Sequence, residues 1–394
     1  MNTPVLVASI AREQGITGVH THVRQLRAYL RSVGADAEVL TPHSWAEGSL
    51  VRRALLLPLF GARVVLERVW GPANVWWYRS GHEYVLRRVL RRRLASVGAC
   101  TVYAQCPVSA RAALAARQGP HQRVVLAVHF RISQSDEWAD KGQIARGGPV
   151  YRWIRRIERE VVTSVDGLVF VSSWGRAALR EWCPEVDRTP ARVLHNFVRS
   201  PRVGDGPRRR GHLVSVGNLE GVKNHRFLVQ VLAQARDQGH RYVLDVFGEG
   251  VEHDRLVALC EELGVGDQVR FLGFQPDVQQ RLGEYEAYVH ASVSESLPLA
   301  VIEAMAAGLP VVCAEAGGIG ELYDDGVEGF FWPVDDVARA TRVLVSLMSE
   351  PELLLRTGRA ARARFERDYD AEVVAPRLLS FLRDAEVVRT ARTA

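Results

Sequence analysis

One run of the chain, residues 287–321, leaves few folds open: A-Y-V-H-A-S-V-S-E-S-L-P-L-A-V-I-E-A-M-A-A-G-L-P-V-V-C-A-E-A-G-G-I-G-E. Its first five residues are mostly apolar and stop at Ser292, which predicts a short buried strand. Pro298 suits a first helical turn, where a missing N–H is no loss. Ala300, Ile302 to Met305 and Ala307 are good helix formers, and Gly308-Leu309-Pro310 ends the helix with a Gly followed by a Pro. Val311 to Ala314 predicts a second buried strand, and Gly317-Gly318-Ile319-Gly320 a glycine-rich turn onto a further helix. Strand, loop, helix, strand is βαβ grammar, and its loops lie at the carboxyl ends of parallel strands, where open α/β sheets bind ligands.

Two carboxylates punctuate this unit. Glu295 precedes the helix, and Glu303 sits about five residues into it, roughly 7 to 8 Å further along at 1.5 Å per residue. Either can accept bonds from a pair of vicinal hydroxyls, such as a sugar or a ribose presents. Between them lies a helix N-terminus, whose free N–H groups and positive dipole end suit a phosphate. Together they outline a nucleotide-sugar site; singly, each is an ordinary surface glutamate.

The rest of the chain repeats this rhythm. Buried strands are expected at 4–10, 38–41, 100–105, 123–129, 166–172, 192–198, 212–216, 242–247 and 269–274, and amphipathic helices at 151–162, 335–348, 352–368 and 371–384. At 394 residues there is room for two domains, each with its own core. They differ in charge: residues 1–198 hold 28 Lys+Arg against 15 Asp+Glu, residues 199–394 hold 23 against 30. The Pro-, Gly- and Arg-rich stretch at 200–211 is a linker between them, and the polar, Gly-rich stretch at 133–149 a mobile loop. Of 51 basic residues only Lys141 and Lys223 are lysine. A lysine in the strand-to-helix loop at 217–224 therefore hints at a need for a compact ammonium, unless two lysines survive by chance. His129 ends a strand at its carboxyl edge; a lone histidine there is more often structural than functional.

Other classes fit less well. Gly248-Glu249-Gly250 is a poor dinucleotide fingerprint, because His253 stands at the third glycine position. The only D-x-D, Asp368-Tyr369-Asp370, reads as a helix cap rather than a metal site. Five cysteines without zinc-like spacing read as core residues of a reducing compartment. The first residues enter a strand with no basic leader, and the apolar run at 54–62 is far short of the roughly 18 residues needed to span a bilayer; a cytoplasmic protein is expected. The patch at 51–94 carries ten Arg against two Glu, interleaved with leucine, tryptophan and tyrosine. It suits an interfacial helix on an anionic membrane, or a basic helical face beside an aromatic core. No nucleic-acid module accompanies the charge, so nucleic acid is not expected as a partner.

The order E-S-L-P-L-A-V-I-E-A-M-A-A-G-L-P-V-V, followed by G-G-I-G-E-L-Y-D-D-G-V-E-G-F, resembles the donor-site motif of retaining, GT-B-fold glycosyltransferases of family 4 (glycosyl transferases group 1). The resemblance is strongest over 212–335. It implies an α/β fold of two Rossmann-like domains facing a central cleft: an acceptor domain at 1–198, a nucleotide-sugar domain at 210–370, and a final helix at 371–394 crossing back to the first. It implies that Glu295 approaches the transferred sugar, Glu303 binds the ribose diol, Lys223 meets the donor diphosphate, and His129 touches the donor sugar. Gly18, carried over from a Gly-Gly loop whose first glycine is Thr17 here, and the N–H groups near Leu299 and Ala300 would add donor contacts. The diphosphate-binding arginine of the family is replaced by Asn218, leaving one charge fewer unless Arg226 or a backbone N–H substitutes. Catalysis would fall to Glu295, His129 and Lys223, without metal and with no cofactor beyond the nucleotide diphosphate sugar, UDP- or GDP-linked. The expected acceptor is a lipid-linked or cell-envelope saccharide, met at the inner face of the cell membrane if the basic patch binds there. The alternatives are a soluble small-molecule acceptor and a catalytically inactive sugar-nucleotide-binding protein.

Overall fold

A computed structural model describes residues 3–12, 15, 17–35, 37–200 and 208–384, with the side chains of 53, 55, 57–60 and 63–65 outside that description. It has two compact units: the chain up to Leu194 together with the chain from Ala375, and His195–Val374. Most of the stretch at 200–211 lies outside the described residues.

The first unit is built on β1 (Val5–Ala8), β2 (Glu38–Leu40), β3 (Cys100–Ala104), β4 (Gln122–Val128), β5 (Gly167–Phe170) and β6 (Ala191–Val193), all parallel in the order β2-β1-β3-β4-β5-β6. Strands covered on both faces read as nearly unbroken apolar runs, as C-T-V-Y-A and R-V-V-L-A-V do here. Leu86, Leu90 and Leu94 of the helix Gly71–Ala95, and Val161 and Val162 of the helix Pro149–Ser164, share one core with Val102, Val124 and Leu126. The last helix, Ala371–Arg383, joins this unit through its second half: the Thr101 hydroxyl donates to the carbonyl of Leu382 at 2.7 Å.

Two expectations about this unit need adjusting. The stretch at 133–149 is not loop throughout: 134–140 are helical and 141–148 are loop. Ser133 caps a helix, Gln134–Asp140, accepting from the Ser135 N–H at 3.0 Å. Glu158, fully buried, accepts from the Ser133 hydroxyl and from the Gln134 N–H. Burial pushes the Glu158 carboxyl up to about 7 despite the nearby Arg79 charge. The basic patch, a pair of helices at Leu50–Val69 and Gly71–Ala95, is also not uniformly superficial. Arg79 is buried and donates to the Gln134 side-chain oxygen at 2.6 Å, and Arg93 pairs with Glu38 at 2.7 Å.

The second unit contains β7 (His212–Val216), β8 (Val243–Phe247), β9 (Val269–Phe271), β10 (Ala287–His290), β11 (Val311–Ala314) and β12 (Gly329–Trp332), again all parallel, in the order β12-β11-β10-β7-β8-β9. The order reverses between β7 and β10, a doubly wound arrangement whose ligand crevice opens at that switch. Phe227, Leu228 and Val231 of the helix His225–Asp237 pack with Leu244, Val289 and Val312. The Trp332 indole N–H donates to the carbonyl of His290 at 3.1 Å, tying β12 to the end of β10.

Here too the structure differs from expectation in one place. Gly317–Glu321 is a single 3-10 turn, and the next α-helix begins only at Val337. The intervening residues make a turn feeding β12, in which Glu328 accepts from the Asp324 N–H and Asp325 from the Phe331 N–H. Asp370 does cap the last helix, accepting from the Glu372 N–H at 2.9 Å, while Asp368 pairs with Arg364. All five cysteines are buried and free.

Candidate functional site

At the carboxyl edge of the second sheet the β7 and β10 loops are stitched together. The Ser292 hydroxyl and the Val293 N–H both donate to the carbonyl of Val222 at 3.0 Å. Lys223 ends the short turn Gly221–Lys223, and Asn224 takes a left-handed conformation (φ 53°) that turns the chain into the next helix. The turn brings the Lys223 ammonium to 2.5 Å from Glu295 Oε1, across 72 residues of sequence.

Glu295 is held from behind by the glycine turn. Its carbonyl accepts from the Gly318 N–H at 2.9 Å. Gly317 adopts φ +63°, and a Cβ there would lie 2.1 Å from that same carbonyl. Only glycine permits both the conformation and the approach. Gly248 (φ +145°) plays the same part beside β7, where a Cβ would lie 2.0 Å from the carbonyl of Gly217. These glycines bring loop backbones together rather than leaving room for a phosphate.

The Glu295 carboxylate is strongly tuned. Burial alone would raise its pKa, but the Lys223 charge, with His290 Nε2 3.4 Å from Oε1, holds it well below the ordinary carboxylate range. His290 is itself lowered, chiefly by burial. Behind it His225 is pushed down to about 3 by burial and by the like charges of His290 and Lys223. The cluster is a Lys223–Glu295 ion pair backed by two imidazoles whose burial disfavours their charged forms.

The helix Leu299–Ala306 follows directly. Pro298 at its N-cap supplies no capping side chain, so Leu299 and Ala300 open the helix with no side-chain acceptor on their N–H groups. Glu303 is buried on this helix and accepts from the Gln279 side-chain amide. Ser296, between Glu295 and the helix, has a buried hydroxyl without a partner. Asn196 donates to the carbonyl of Leu297 at 2.8 Å and so fixes the same loop. Asn218 is half-buried just past β7, its carbonyl accepting from the Glu220 N–H, while Arg226 is exposed.

The structure thus gathers Lys223, Glu295, Leu299, Ala300 and Glu303 around one helix start, with Asn218 on the adjoining loop. Gly18 and His129 belong to the first unit. Gly18 is the first residue of the helix Gly18–Ser32, whose start is closed by Thr17 and His20, with the threonine hydroxyl 2.7 Å from His20 Nδ1. His129 follows β4; its Nε2 lies 3.1 Å from Gln105 Oε1 and its ring 4.7 Å from that of His22. Sequence reasoning passed over His290, His225, Ser296, Gln279 and Gln105, and read His22 as a structural or solvated helix residue. The one available signal was position: His290 and Gln105 each stand at the end of a buried parallel strand. Among the described residues no three His, Cys, Asp or Glu side chains converge as a metal site, and no helix is long and apolar enough to cross a membrane.

Comparison with known proteins bears on the family and the fold. Residues 205–364 match the family of glycosyl transferases group 1, and residues 17–196 match the glycosyl transferase 4-like domain. Over 220 residues the chain is 28% identical to WcaL of Escherichia coli (strain K12), whose name assigns it to colanic acid biosynthesis as a glycosyltransferase; the match covers 53% of this chain and 54% of WcaL. Over 196 residues it is 29% identical to an N-acetylgalactosamine-N,N'-diacetylbacillosaminyl-diphospho-undecaprenol 4-alpha-N-acetylgalactosaminyltransferase of Campylobacter jejuni, covering 48% of this chain and 53% of that one. The chain thus spans about half the length of these relatives. The crystal structure of Anabaena HepE in complex with UDP-glucose superposes with a TM-score of 0.70 at 16% identity, over 96% of this chain and 99% of that one. With both halves matched by glycosyltransferase families and two parallel six-stranded sheets of the GT-B type, the chain belongs to the group 1 glycosyltransferases.

Proposed function

We propose that the protein is a retaining glycosyltransferase that moves a hexosyl group from a nucleoside diphosphate sugar to a hydroxyl of a lipid-linked or cell-envelope saccharide. The observation that carries this is the Lys223–Glu295 pair set before an uncapped helix start whose own helix bears Glu303. In this reading Glu303 takes the ribose diol, while the Leu299 and Ala300 N–H groups, the Ser296 hydroxyl and Lys223 receive the diphosphate. Glu295 turns from Lys223 to the sugar hydroxyls; in the first unit, His129 is the residue read as meeting a substrate hydroxyl. The bond from the anomeric carbon to the diphosphate oxygen breaks, and the acceptor oxygen bonds to that carbon on the same face. The acceptor proton passes to the departing phosphate, so no dedicated side-chain base is required. What the protein must supply is preorganised positive charge for the leaving group and a fixed sugar orientation.

The test is transfer by the purified protein with UDP- and GDP-linked sugars, reading the product's anomeric configuration by NMR. Retention, undiminished by EDTA, is the expected result; an inverted product overturns the mechanism. Nucleotide binding without transfer or hydrolysis would instead establish a sugar-nucleotide-binding protein, the reading for which Asn218 is the hint.

The acceptor reading draws on the names of the matched relatives and on the surface at 50–92. Leu50 is 81% exposed and Trp70 64%, with Val51, Val69, Trp76 and Tyr84 also exposed. Arg52, Arg68, Arg88, Arg91 and Arg92 stand exposed among them. Apolar side chains interleaved with arginine suit the headgroup region of an anionic bilayer, each basic residue contributing about 1 kcal/mol near the surface. The protein is expected to co-sediment with phosphatidylglycerol vesicles at 0.1 M salt and not with phosphatidylcholine vesicles. Changing Arg88, Arg91 and Arg92 to Glu should abolish the binding. No sedimentation of the wild type with phosphatidylglycerol vesicles would remove the membrane and favour a soluble acceptor.

A further inference from the structure

We propose that Gln105 is a positioning residue that holds His129 as the Nε2–H tautomer and so leaves Nδ1 as the acceptor offered to a substrate hydroxyl. The strand order of the first sheet reverses between β1 and β3. Its carboxyl edge at that switch is occupied by the helix after β1, by Gln105 just past β3, and by His129 just past β4 on the neighbouring strand. Gln105 is 3% exposed, and both ends of its amide are committed. Its Nε2 donates to the carbonyl of Tyr103 at 3.3 Å, an atom that can only accept. That bond fixes the amide orientation and turns Oε1, which can only accept, to His129 Nε2 at 3.1 Å. The ring nitrogen facing Oε1 must therefore carry the proton.

The ring is kept neutral by its surroundings. Burial lowers the His129 pKa well below its ordinary value, and His22, whose ring meets it edge-on at 4.7 Å, lowers it further. His22 is itself seated by Tyr103, whose hydroxyl lies 3.2 Å from His22 Nε2. A neutral imidazole with its proton on Nε2 has one lone pair, on Nδ1. No described group hydrogen-bonds that atom. A hydroxyl donor is thus accepted there, whereas the opposite tautomer would present an N–H and leave Gln105 Oε1 facing a lone pair.

The inference rests on the reading that His129 meets a substrate hydroxyl, and its test separates the two. Protein labelled with ¹⁵N-histidine, with His129 assigned by the loss of its signals in His129→Ala, reports the tautomer through two-bond ¹H–¹⁵N correlations without any substrate. Wild type at pH 8 is expected to show His129 protonated on Nε2. Gln105→Leu, which removes the acceptor, is expected to give a mixture of tautomers and about a tenfold loss in kcat/KM, the scale of one neutral hydrogen bond. Gln105→Glu keeps an accepting oxygen toward Nε2, so that nitrogen should stay protonated. Its charge favours the imidazolium and its second oxygen faces the Tyr103 carbonyl, so Nδ1 should gain a proton and kcat/KM should fall. An Nδ1–H tautomer in wild type, an unchanged tautomer in Gln105→Leu, or a mixed tautomer with unchanged kcat/KM each overturns the proposal. A wild-type protein that shows the expected tautomer yet transfers no sugar counts against the transferase reading and upholds the assignment of the proton by Gln105.

Discussion

Lys223→Ala is expected to lower turnover on the sugar donor by about 10²- to 10³-fold, the scale on which a preorganised group facing developing charge acts. Two physical effects combine. The leaving diphosphate loses the ammonium that the β7 loop carries, and Asn218 and exposed Arg226 offer no ready replacement. Glu295 also loses the charge that opposes its burial. With a depressed folded-state pKa, the ionised pair contributes stability above the ordinary carboxylate range and loses it only as pH falls below that range. Without Lys223 only His290 still opposes the burial effect, so the carboxyl pKa rises and the acid limb of the pH–rate profile moves upward. Lys223→Arg is expected to recover little. A planar fork cannot sit where a point charge lies 2.5 Å from one carboxylate oxygen. Rate profiles across pH 5 to 9 for both variants check this, and a kcat within threefold of wild type in Lys223→Ala would remove the lysine from the site.

What could be read in advance followed from local rules. Parallel strands buried on both faces announce themselves as apolar runs, so β7, β10 and β11 lie where the residues place them. The stop at Gly308 is a positive-φ turn, as a Gly followed by a Pro implies. The contacts that make the site were not local. Lys223 and Glu295 are 72 residues apart, and their pairing depends on the reversal of strand order between β7 and β10. Gln105 and His129 are 24 apart and meet only because β3 and β4 are neighbours. Composition misled at Arg79, counted with a surface patch but buried against Gln134, because charge patterning carries no record of which helix face turns inward. It misled again at 133–149, where polarity suggested a loop. Buried Glu158 supplies acceptors for Ser133 and Gln134 there, and no sequence window of that stretch contains it.

Glu303→Ala is expected to weaken nucleoside diphosphate binding by about 10²-fold. Hydrogen bonds to a charged acceptor contribute roughly 1.5 to 3 kcal/mol each, and a vicinal diol on one carboxylate makes two of them. A total of about 3 kcal/mol corresponds to about two decades in Kd. The carboxylate is buried and already accepts one amide donor, from Gln279, as a carboxylate kept for hydrogen bonding would. Because the contact is with the ribose, its loss has a diagnostic form. Wild type should bind a nucleoside diphosphate about tenfold more tightly than its 2′-deoxy analogue, and Glu303→Ala should bind the two alike. Glu303→Gln, which keeps one accepting oxygen but no charge, should fall between them, and Lys223→Ala should retain the ribose preference while losing turnover. Calorimetric titration of the four proteins with both nucleotides decides it. A ribose preference that survives in Glu303→Ala would place the diol elsewhere and leave the helix start without its second anchor.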